Sequence, residues 1–381
     1  MKLWLTMLLM LLMLVPIYGV SQGSCLFISY EPSCINLAIG GRAVGNVNIW
    51  HKSALTTYAN PAVGAYREGV SWGFSEKDWL KDTGFGLKYN ASLVNIGYKG
   101  MSITLPSYRL SELSGQYLDA GIAPLYDDHW NVVGEFHSYD TAGVYGFACD
   151  AVKLGDDYIS SSFVKEHLML ACGITYKDIT SYLYPAGSAV GVGEGSCWDV
   201  GTAARFSWED ISGVGVEAVG AYTHNNVFNG KAGFGDGLED PLWECKNFGY
   251  AVGVNLSGEK VLGDIIDPKL IYFDNLVSFR YLSSTANESG DKSKGYGAEW
   301  GLMDTFFIRK GRYEDYEGEI VGNTFGYGID LHYKDIVSLS WNYAEYPGGV
   351  LMNGPQKAED INVNLDFLSI GKEINKLFVK R

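Results

Sequence analysis

Apolar and polar residues alternate in short segments that recur along this chain. In residues 324–333 every odd position is apolar and every even position is small or polar, and residues 337–344 continue the same alternation. Successive side chains of a β-strand point to opposite faces, so each segment predicts a strand with one apolar face and one polar face. Five further segments show the pattern: 85–89, 168–176, 198–208, 248–256 and 361–367.

The strand ends favour a membrane barrel over a soluble β-sandwich. A sandwich packs mainly aliphatic side chains into its core, whereas several of these segments end in Trp, Tyr or Phe, which gather at a membrane–water boundary. About 9 to 11 tilted residues are enough for a strand to cross a bilayer. No run of about 18 apolar residues follows the first segment, so no later membrane helix is indicated. The pattern predicts an all-β fold, a transmembrane antiparallel β-barrel in a bacterial outer membrane.

The connections between the predicted strands differ in length. Tight turns are predicted at Glu209-Asp210, Met303-Asp304 and Lys334-Asp335. Outer-membrane barrels have short periplasmic turns and longer external loops, so this pattern places the C-terminus in the periplasm. Residues 257–275 are long where a short turn is due, and they are either a periplasmic inset or an unrecognised strand. Long polar connections are predicted at 225–247, 283–294, 312–322 and 345–359.

The first residues have the order of a secretory signal peptide. Lys2 precedes an apolar run, and small residues follow it up to Ser24, which predicts a signal peptide over residues 1–23. A retained signal anchor is the alternative, although the run is short for a helix across about 30 Å of hydrocarbon. Cys25 also suggests a lipoprotein, but Gln22 stands where a lipobox requires an aliphatic residue.

The composition narrows the possible partners. The formal net charge is −15, and nucleic-acid binding needs a basic surface. Nucleic acid is therefore not a predicted partner, whereas outer-membrane lipid is the partner that a membrane barrel requires. Six cysteines are too few for a disulfide framework at this length. Bridges from Cys25 to Cys34 and from Cys197 to Cys245 stay open, because the sequence does not pair them.

The sequence contains no recognisable enzyme site. None of the six histidines lies near a serine motif such as Gly-x-Ser-x-Gly, and we predict a non-enzyme without a cofactor. Asp127-Asp128-His129 has ligand types suited to a cation, but such a run in a polar loop is expected to be solvated, and no metal site is predicted. Asp330 and His332 are expected to meet Asp366 or Asn342 in a polar ladder. The candidate lumen-facing residues are Arg205, Asp330, His332, Asn342, Asn362, Asn364 and Asp366.

Short motifs resemble those of known outer-membrane barrels. Residues 38–45 combine glycines with an arginine, and Asn60-Pro61-Ala62 follows before the first predicted strand. Together with residues 198–201 and 324–328, each within a strand, this order resembles the PorV/PorQ-like barrels and, more distantly, the FadL-type transporters. The chain departs from that pattern because it continues past Phe367 instead of ending on the last strand.

The resemblance implies a barrel of about 14 strands whose N-terminal segment folds into the lumen as a hatch. The hatch would cover residues 24–66, the barrel 67–368 and a periplasmic tail 369–381. Asn60-Pro61 also fits a simple turn before the first strand. The candidate hatch residues are Gly40, Gly41, Arg42, Gly45, Asn60, Pro61 and Ala62.

The same resemblance implies a function at the cell surface. The first hypothesis is a PorV-like component that binds exported proteins in type IX protein secretion. The alternatives are a FadL-like channel for hydrophobic small molecules and a surface adhesin or structural barrel. Barrel architecture does not choose among them, because function resides in the lumen and the loops.

Overall fold

The computed structural model covers most of the chain after the predicted signal peptide. The predicted signal peptide, residues 372–381 of the predicted tail, Asp128 and the predicted turn at 334–335 lie outside the described residues. The described residues are 25–79, 87–109, 112–127, 129–182, 192–234, 237, 239–263, 265, 273–288, 291–315, 320–333, 336–348, 354–367 and 369–371.

The described residues form one antiparallel sheet of eighteen strands. The strands are β1 Gly69–Trp79, β2 Leu87–Tyr98, β3 Met101–Arg109, β4 Glu112–Ser114, β5 Gln116–Tyr126, β6 Val132–Asp150, β7 Leu168–Tyr182, β8 Val192–Glu209, β9 Val214–Asn225, β10 Lys231–Phe234, β11 Glu239–Pro241, β12 Cys245–Ser257, β13 Asn275–Glu288, β14 Asp291–Leu302, β15 Phe306–Asp315, β16 Ile320–Tyr333, β17 Val337–Tyr346 and β18 Gln356–Leu365.

The sheet closes into a barrel because β1 pairs with both β2 and β18. The short strands β4, β10 and β11 lie outside the ring, and β3 and β5 share one position between β2 and β6. The ring therefore has 14 positions, which confirms the predicted barrel. A closed ring leaves no unpaired edge, as a strand structure in lipid requires.

The predicted alternation separates the exterior of the barrel from its lumen. On β16, Phe325 and Leu331 point outward and are exposed, whereas Thr324 points inward and is buried. On β17, Leu339 is exposed outward and Ser340 is buried inward. Large apolar side chains cover the exterior of most strands in the same way. Burying such a surface requires hydrocarbon, so the exterior is lipid-facing.

The two ends of the barrel differ in their connections. The end where β1 begins, here the turn end, has tight turns at residues 210–213 and 303–305, as predicted. The same end also carries a helix at Gly258–Leu262, which agrees with an inset in residues 257–275, and two helices, Ala151–Leu154 and Ser162–His167, before β7. A 3₁₀ turn, Asp156–Tyr158, lies between those two helices.

Two of the predicted long connections at the opposite end, here the loop end, are wrong. β13 runs to Glu288 and β14 begins at Asp291, so most of residues 283–294 are strand. β15 likewise runs to Asp315 and β16 begins at Ile320. The outward apolar side chains form a belt around the barrel, and these strands continue past this apolar belt into water. Their backbone hydrogen bonds to neighbouring strands persist there, although the outward side chains are polar. Hydrophobic alternation therefore ends before the strands do.

The N-terminal residues lie inside the barrel, against its inner wall. Helix α1, Cys34–Gly40, packs against β14 to β18, and its residues are buried throughout. The 3₁₀ helices contact other sectors of the inner wall and complete this hatch: Leu26–Ser29, Arg42–Val47, Ala54–Tyr58 and Pro61–Tyr66. In the described part of the chain, no helix combines the length and the apolar character needed to span a membrane.

Candidate functional site

A buried charged cluster joins the hatch to the inner wall of β13, β14 and β15. The Glu299 carboxylate accepts a hydrogen bond from Arg309 Nε at 2.7 Å and one from Arg280 Nη1 at 2.8 Å. His51 of the hatch lies 2.6 Å from the same carboxylate through Nε2. Glu299 and Arg309 are almost completely buried. A charge in such surroundings is stable only when it is paired, so Glu299 fixes the position of His51.

Three of the predicted lumen-facing residues form an amide ladder on β17 and β18. Asn342 and Asn362 donate from Nδ2 to Asp360 Oδ1 at 2.8 and 2.9 Å. Asn364 continues the ladder by donating to Ser338 Oγ at 2.9 Å. The other carboxylate oxygen of Asp360 accepts the backbone N–H of Cys34 at 2.8 Å. The ladder thus holds the first residue of α1.

The predicted pair Asp330 and His332 lies at the turn end of the lumen. Asp330 Oδ2 is 3.4 Å from His332 Nε2, and the same nitrogen is 3.2 Å from the carbonyl oxygen of Asp304. Both side chains border a cavity of about 140 Å³ below the hatch. Their strand neighbours on β17 are Ser340 and Ser338. Asp330 and His332 therefore contact each other and Asp304, instead of the expected Asn342 or Asp366.

Arg205 and Asp366 were both predicted to face the lumen, and they lie in different surroundings. Arg205 faces the lumen from β8, where it pairs with Glu217 of β9. Glu217 also accepts a hydrogen bond from the indole N–H of Trp50 in the hatch. Asp366 lies beyond the end of β18, where its Oδ1 accepts the backbone N–H of Ser369 at 3.1 Å. Asp366 is thus a turn residue at the strand end rather than part of the lumen wall.

The hatch glycines allow its backbone to approach the barrel. Gly41 has φ +74°, and a Cβ there would lie 2.8 Å from the Tyr313 ring. A Cβ on Gly40 would lie 2.7 Å from the backbone nitrogen of Tyr296, and one on Gly45 would lie 2.6 Å from Ala59 Cβ. The barrel wall also requires a glycine at this contact, because a Cβ on Gly311 would overlap the carbonyl oxygen of Ile39. A side chain at any of these places would displace the hatch.

The other predicted hatch residues hold its ends. Asn60 caps the 3₁₀ helix that begins at Pro61, and its Nδ2 donates to the Asn46 carbonyl oxygen at 2.9 Å. Pro61 and Ala62 pack on the backbone of Gly173 in β7. Asn60 and Pro61 therefore make a turn that is also part of the hatch. Arg42 pairs with Glu288 of β13, and its guanidinium lies 4.3 Å from the centre of the Trp243 ring.

Several buried groups were missed by the sequence analysis. Lys177 of β7 pairs with Asp199 of β8 at 2.8 Å, and its Nζ lies 3.9 Å from the centre of the Tyr58 ring in the hatch. Burial raises the pKa of the Glu31 carboxyl in the hatch to about 7, against hydrogen bonds from Ser33 and Asn36 that lower it. The sequence did contain one signal for these groups: Asp199 is a charged residue on the polar, inward face of an alternating segment.

The loop end of the lumen contains a cavity of about 200 Å³ above the hatch. Its lining combines the apolar Leu37 of α1 and Ile320 of β16 with five charged residues, Glu31, Arg42, Lys77, Glu288 and Asp315. Lys77 of β1 enters it beneath Tyr89, with Nζ 4.3 Å from the centre of that ring. The rings that line the cavity are Tyr30, Tyr313 and Tyr346.

An apolar cluster lies beside this cavity on the inner wall of β2, β6 and β7. It joins Phe27 and Ile28 of the hatch to Leu93 of β2 and Val144 of β6, all buried. The ionic and amide groups described above lie mainly along β13 to β18, whereas the inner wall of β2 to β7 combines this apolar cluster with buried polar residues such as Asn95, Gln116 and Lys177.

The strand that pairs with β2 and β6 changes next to the apolar cluster, and Gly115 bridges the change by accepting the Ser92 N–H at 2.9 Å and donating to the Ala142 carbonyl oxygen at 2.8 Å. β3 pairs with β2 as far as Pro106 opposite Leu93, and β5 then takes its place from Gln116 opposite Ala91. On β6, the partner changes from Thr104 opposite Gly146 to Gln116 opposite Ala142. Between these pairings the chain leaves the wall as the β3–β4 hairpin.

Comparisons with known proteins give structural matches of low similarity. No protein-family model matches the chain, and no curated protein matches it. The toluene transporter TodX of Pseudomonas putida aligns over 91% of this chain and 98% of its own, at 9% identity and a TM-score of 0.38. The toluene transporter TbuX of Ralstonia pickettii covers 87% and 100%, at 10% identity and a TM-score of 0.42.

A FadL homologue of Pseudomonas aeruginosa covers 92% of this chain and 100% of its own, at 8% identity and a TM-score of 0.37. The closed antiparallel ring and the apolar exterior of this chain make it an outer-membrane β-barrel.

Proposed function

We propose that this barrel takes up a small hydrophobic molecule from the cell surface, which is the FadL-type alternative of the sequence analysis. The observation that carries the proposal is the cavity at the loop end, with its three tyrosines and Leu37. A cavity of about 150 Å³ holds benzene in another protein, so the comparison concerns volume, because the charged side chains of Glu31, Arg42 and Lys77 also line this cavity. At about 200 Å³, this cavity has room for one aromatic ring or a short alkyl chain.

The apolar cluster supports a route for such a molecule. An apolar compound that passes the 3₁₀ helix Leu26–Ser29 meets the apolar cluster around Leu93 and Val144. The route to the turn end is lined by Glu299, Arg309 and their partners, and an apolar molecule does not replace their hydrogen bonds. The exchange of β3 for β5 at Pro106 adjoins the apolar cluster, and residues 143–145 of β6 lie between its pairings with these two strands. We infer that the molecule leaves the barrel for the membrane at this exchange.

Filling the cavity tests this proposal. Toluene is the probe, because two of the matched proteins are described as its transporters. In cells that express Leu37→Trp, we expect the initial rate of radiolabelled toluene uptake to fall to that of cells without the barrel. Val321→Trp adds the same ring to the lipid-facing side of β16 and should leave the rate unchanged. An unaltered rate in Leu37→Trp cells with correctly assembled barrels would contradict the proposal.

A second candidate function is the PorV-like surface platform, which a different feature supports. Among the described residues, β5 pairs with β2 as far as Asp119 and β6 pairs with β7 from Tyr139 onward. Residues 120–138 form a hairpin at the loop end, with the Trp130 side chain 82% exposed and Ile122 71% exposed. Exposed apolar side chains of this kind mark protein-binding surfaces.

Removing the hairpin separates the two candidate functions. Replacement of residues 121–137 by Asn-Gly shortens β5 and β6 to the height of their neighbours, because this dipeptide closes a two-residue hairpin. The platform function predicts that exported proteins disappear from the cell surface, measured by mass spectrometry after protease treatment of intact cells. Toluene uptake should persist. Retention of the same surface proteins would exclude the hairpin as their binding site.

A further inference from the structure

A group of cations lies on the exterior of two neighbouring strands, outside both candidate functions. Lys294 of β14 and Lys310 of β15 point outward and are exposed, and Arg312 lies between them in the register. Lys292 extends the group toward the loop end. The chain as a whole is acidic, with a net charge of −15. This sector of the exterior therefore has the opposite sign to the rest of the protein.

The lysines of this group lack protein partners. Within the described residues, Lys292, Lys294 and Lys310 form no ion pair, and the nearby Glu314 accepts from Arg312 Nε at 2.7 Å. Most other exposed lysines behave differently. Carboxylates lie within 4 Å of Lys153, Lys165, Lys231, Lys260 and Lys357.

The position of these cations along the barrel axis indicates which part of the membrane they contact. Lys310 follows the outward apolar residues Phe306 and Ile308 on β15 and stands opposite Phe325 of β16. On β14, Lys294 follows the outward Tyr296 in the direction of the loop end. The cations thus lie at the upper boundary of the apolar belt. An unpaired cation strongly destabilises a barrel at the bilayer midplane and much less where it reaches the headgroups.

The spacing of the two lysines suits a headgroup with two phosphates. Lys294 is opposite Glu314, four residues from Lys310, so their backbones are about 13 Å apart along the strands at about 3.3 Å per residue. We propose that Lys294 and Lys310, with Arg312 between them, bind the diphosphorylated disaccharide of lipid A in the outer leaflet. Tyr296 and Phe325 would then lie against the first part of its acyl chains.

Charge reversal tests this lipid site. The purified barrel, in a zwitterionic detergent, is titrated into lipid A that carries a fluorescent label, and binding is followed by anisotropy. We expect the double variant Lys294→Glu, Lys310→Glu to weaken binding by about tenfold or more, which corresponds to the loss of one or two charged contacts. The control, Lys88→Glu with Lys357→Glu, reverses two outward lysines on β2 and β18 and should bind as the wild type does.

Two further arms identify the lipid. Dephosphorylated lipid A with the same acyl chains should bind to the wild type as weakly as lipid A binds to the double variant. Phosphatidylglycerol should bind more weakly than lipid A, because it presents one phosphate. Equal binding of lipid A by the wild type and the folded double variant would overturn the proposal, and so would equal affinity for phosphatidylglycerol.

If the double variant does not fold, the salt dependence of lipid A binding to the wild-type barrel still tests the proposal. Raising the salt concentration to about 0.5 M screens exposed charges, so binding of lipid A to the wild-type barrel should weaken. Binding that does not respond to salt would contradict a phosphate site. None of these measurements depends on toluene uptake, and the site can therefore fail or hold independently of the proposed function.

Discussion

Arg309 donates from Nε to Glu299 at 2.7 Å, between β15 and β14, and the two side chains are 0% and 1% exposed. Arg280 and His51 complete the surroundings of the carboxylate. Because every partner of Glu299 is a cation or a histidine, the loss of its charge leaves two buried guanidinium groups without a counterion.

Glu299→Gln should therefore destabilise the barrel strongly. Removing one partner of a buried ion pair costs about 3–5 kcal/mol, and the temperature at which the folded form disappears from unboiled detergent gels should fall accordingly. Glu359→Gln makes the same change on the exposed outer face of β18 and should have little effect. A similar stability for the two variants would mean that the cluster does not hold the hatch.

The raised pKa of Glu31 predicts that the stability of the hatch depends on pH. Its pKa is raised from 4.5 to about 7 by burial, so the folded state binds this proton more tightly than the unfolded state does. The resulting stability is present below about pH 4.5 and is lost as the pH rises through 7. Glu31→Gln should thus be more stable than the wild type at pH 8, by up to about 3 kcal/mol.

The measurement is the temperature at which a protease begins to cleave residues 25–66. At pH 4 the wild type and Glu31→Gln should be cleaved at the same temperature. Glu76→Gln, an exposed change on β1, should match the wild type at both pH values. A wild type that is more resistant than Glu31→Gln at pH 8 would show that the carboxylate is stabilised by its cationic neighbours instead.

Cys149 and Cys172 provide a test of the register of β6 and β7. They stand directly opposite each other, and their Sγ atoms are 3.4 Å apart. Both are free thiols, as are the four other cysteines. Mild oxidation with copper phenanthroline should join these two before any others, and peptide mapping without reductant should find the link. A first link from Cys197 to Cys245 would mean that the register is incorrect.

The orientation of the barrel can be tested at two exposed positions. Phe228 lies in the connection between β9 and β12 at the loop end and is 70% exposed, and Ser212 lies in the turn at 210–213. If the loop end faces outward, Phe228→Cys should react with a membrane-impermeant maleimide on intact cells, whereas Ser212→Cys should react only after the outer membrane is opened. Labelling of Ser212→Cys alone on intact cells would show that the barrel has the opposite orientation.

The strands were predictable where one face meets lipid and the other meets the hatch. On β16, Phe325 and Thr324 differ so strongly in environment that their chemistry reveals the strand. The same rule missed the ends of β13 and β14, because above the apolar belt both faces meet polar surroundings and residues such as Ser283 carry no signal. Hydrogen bonds of the ladder, which hold those ends, leave no trace in side-chain polarity.

The contacts of the lumen were less predictable than its polarity. Asn342 and Asn362 were recognised as inward residues, but their partner Asp360 was not singled out, because pairing across strands depends on register. Asp366 follows the same alternation and yet lies beyond the last ladder pair, at Leu365. The cavity at the loop end was not foreseen, since it brings together residues as distant as Tyr30 and Tyr346.

The hatch also constrains the order of folding. Cys34 and Ser53 bond to Asp360 and Asn362 of β18, the last strand to be synthesised. Contacts between such distant parts of a chain form slowly. The first residues to emerge must therefore wait, unfolded and apolar, until the last strand arrives. Such a chain is prone to aggregate in transit, so its assembly should depend on chaperones that hold the N-terminal segment until the ring closes around it.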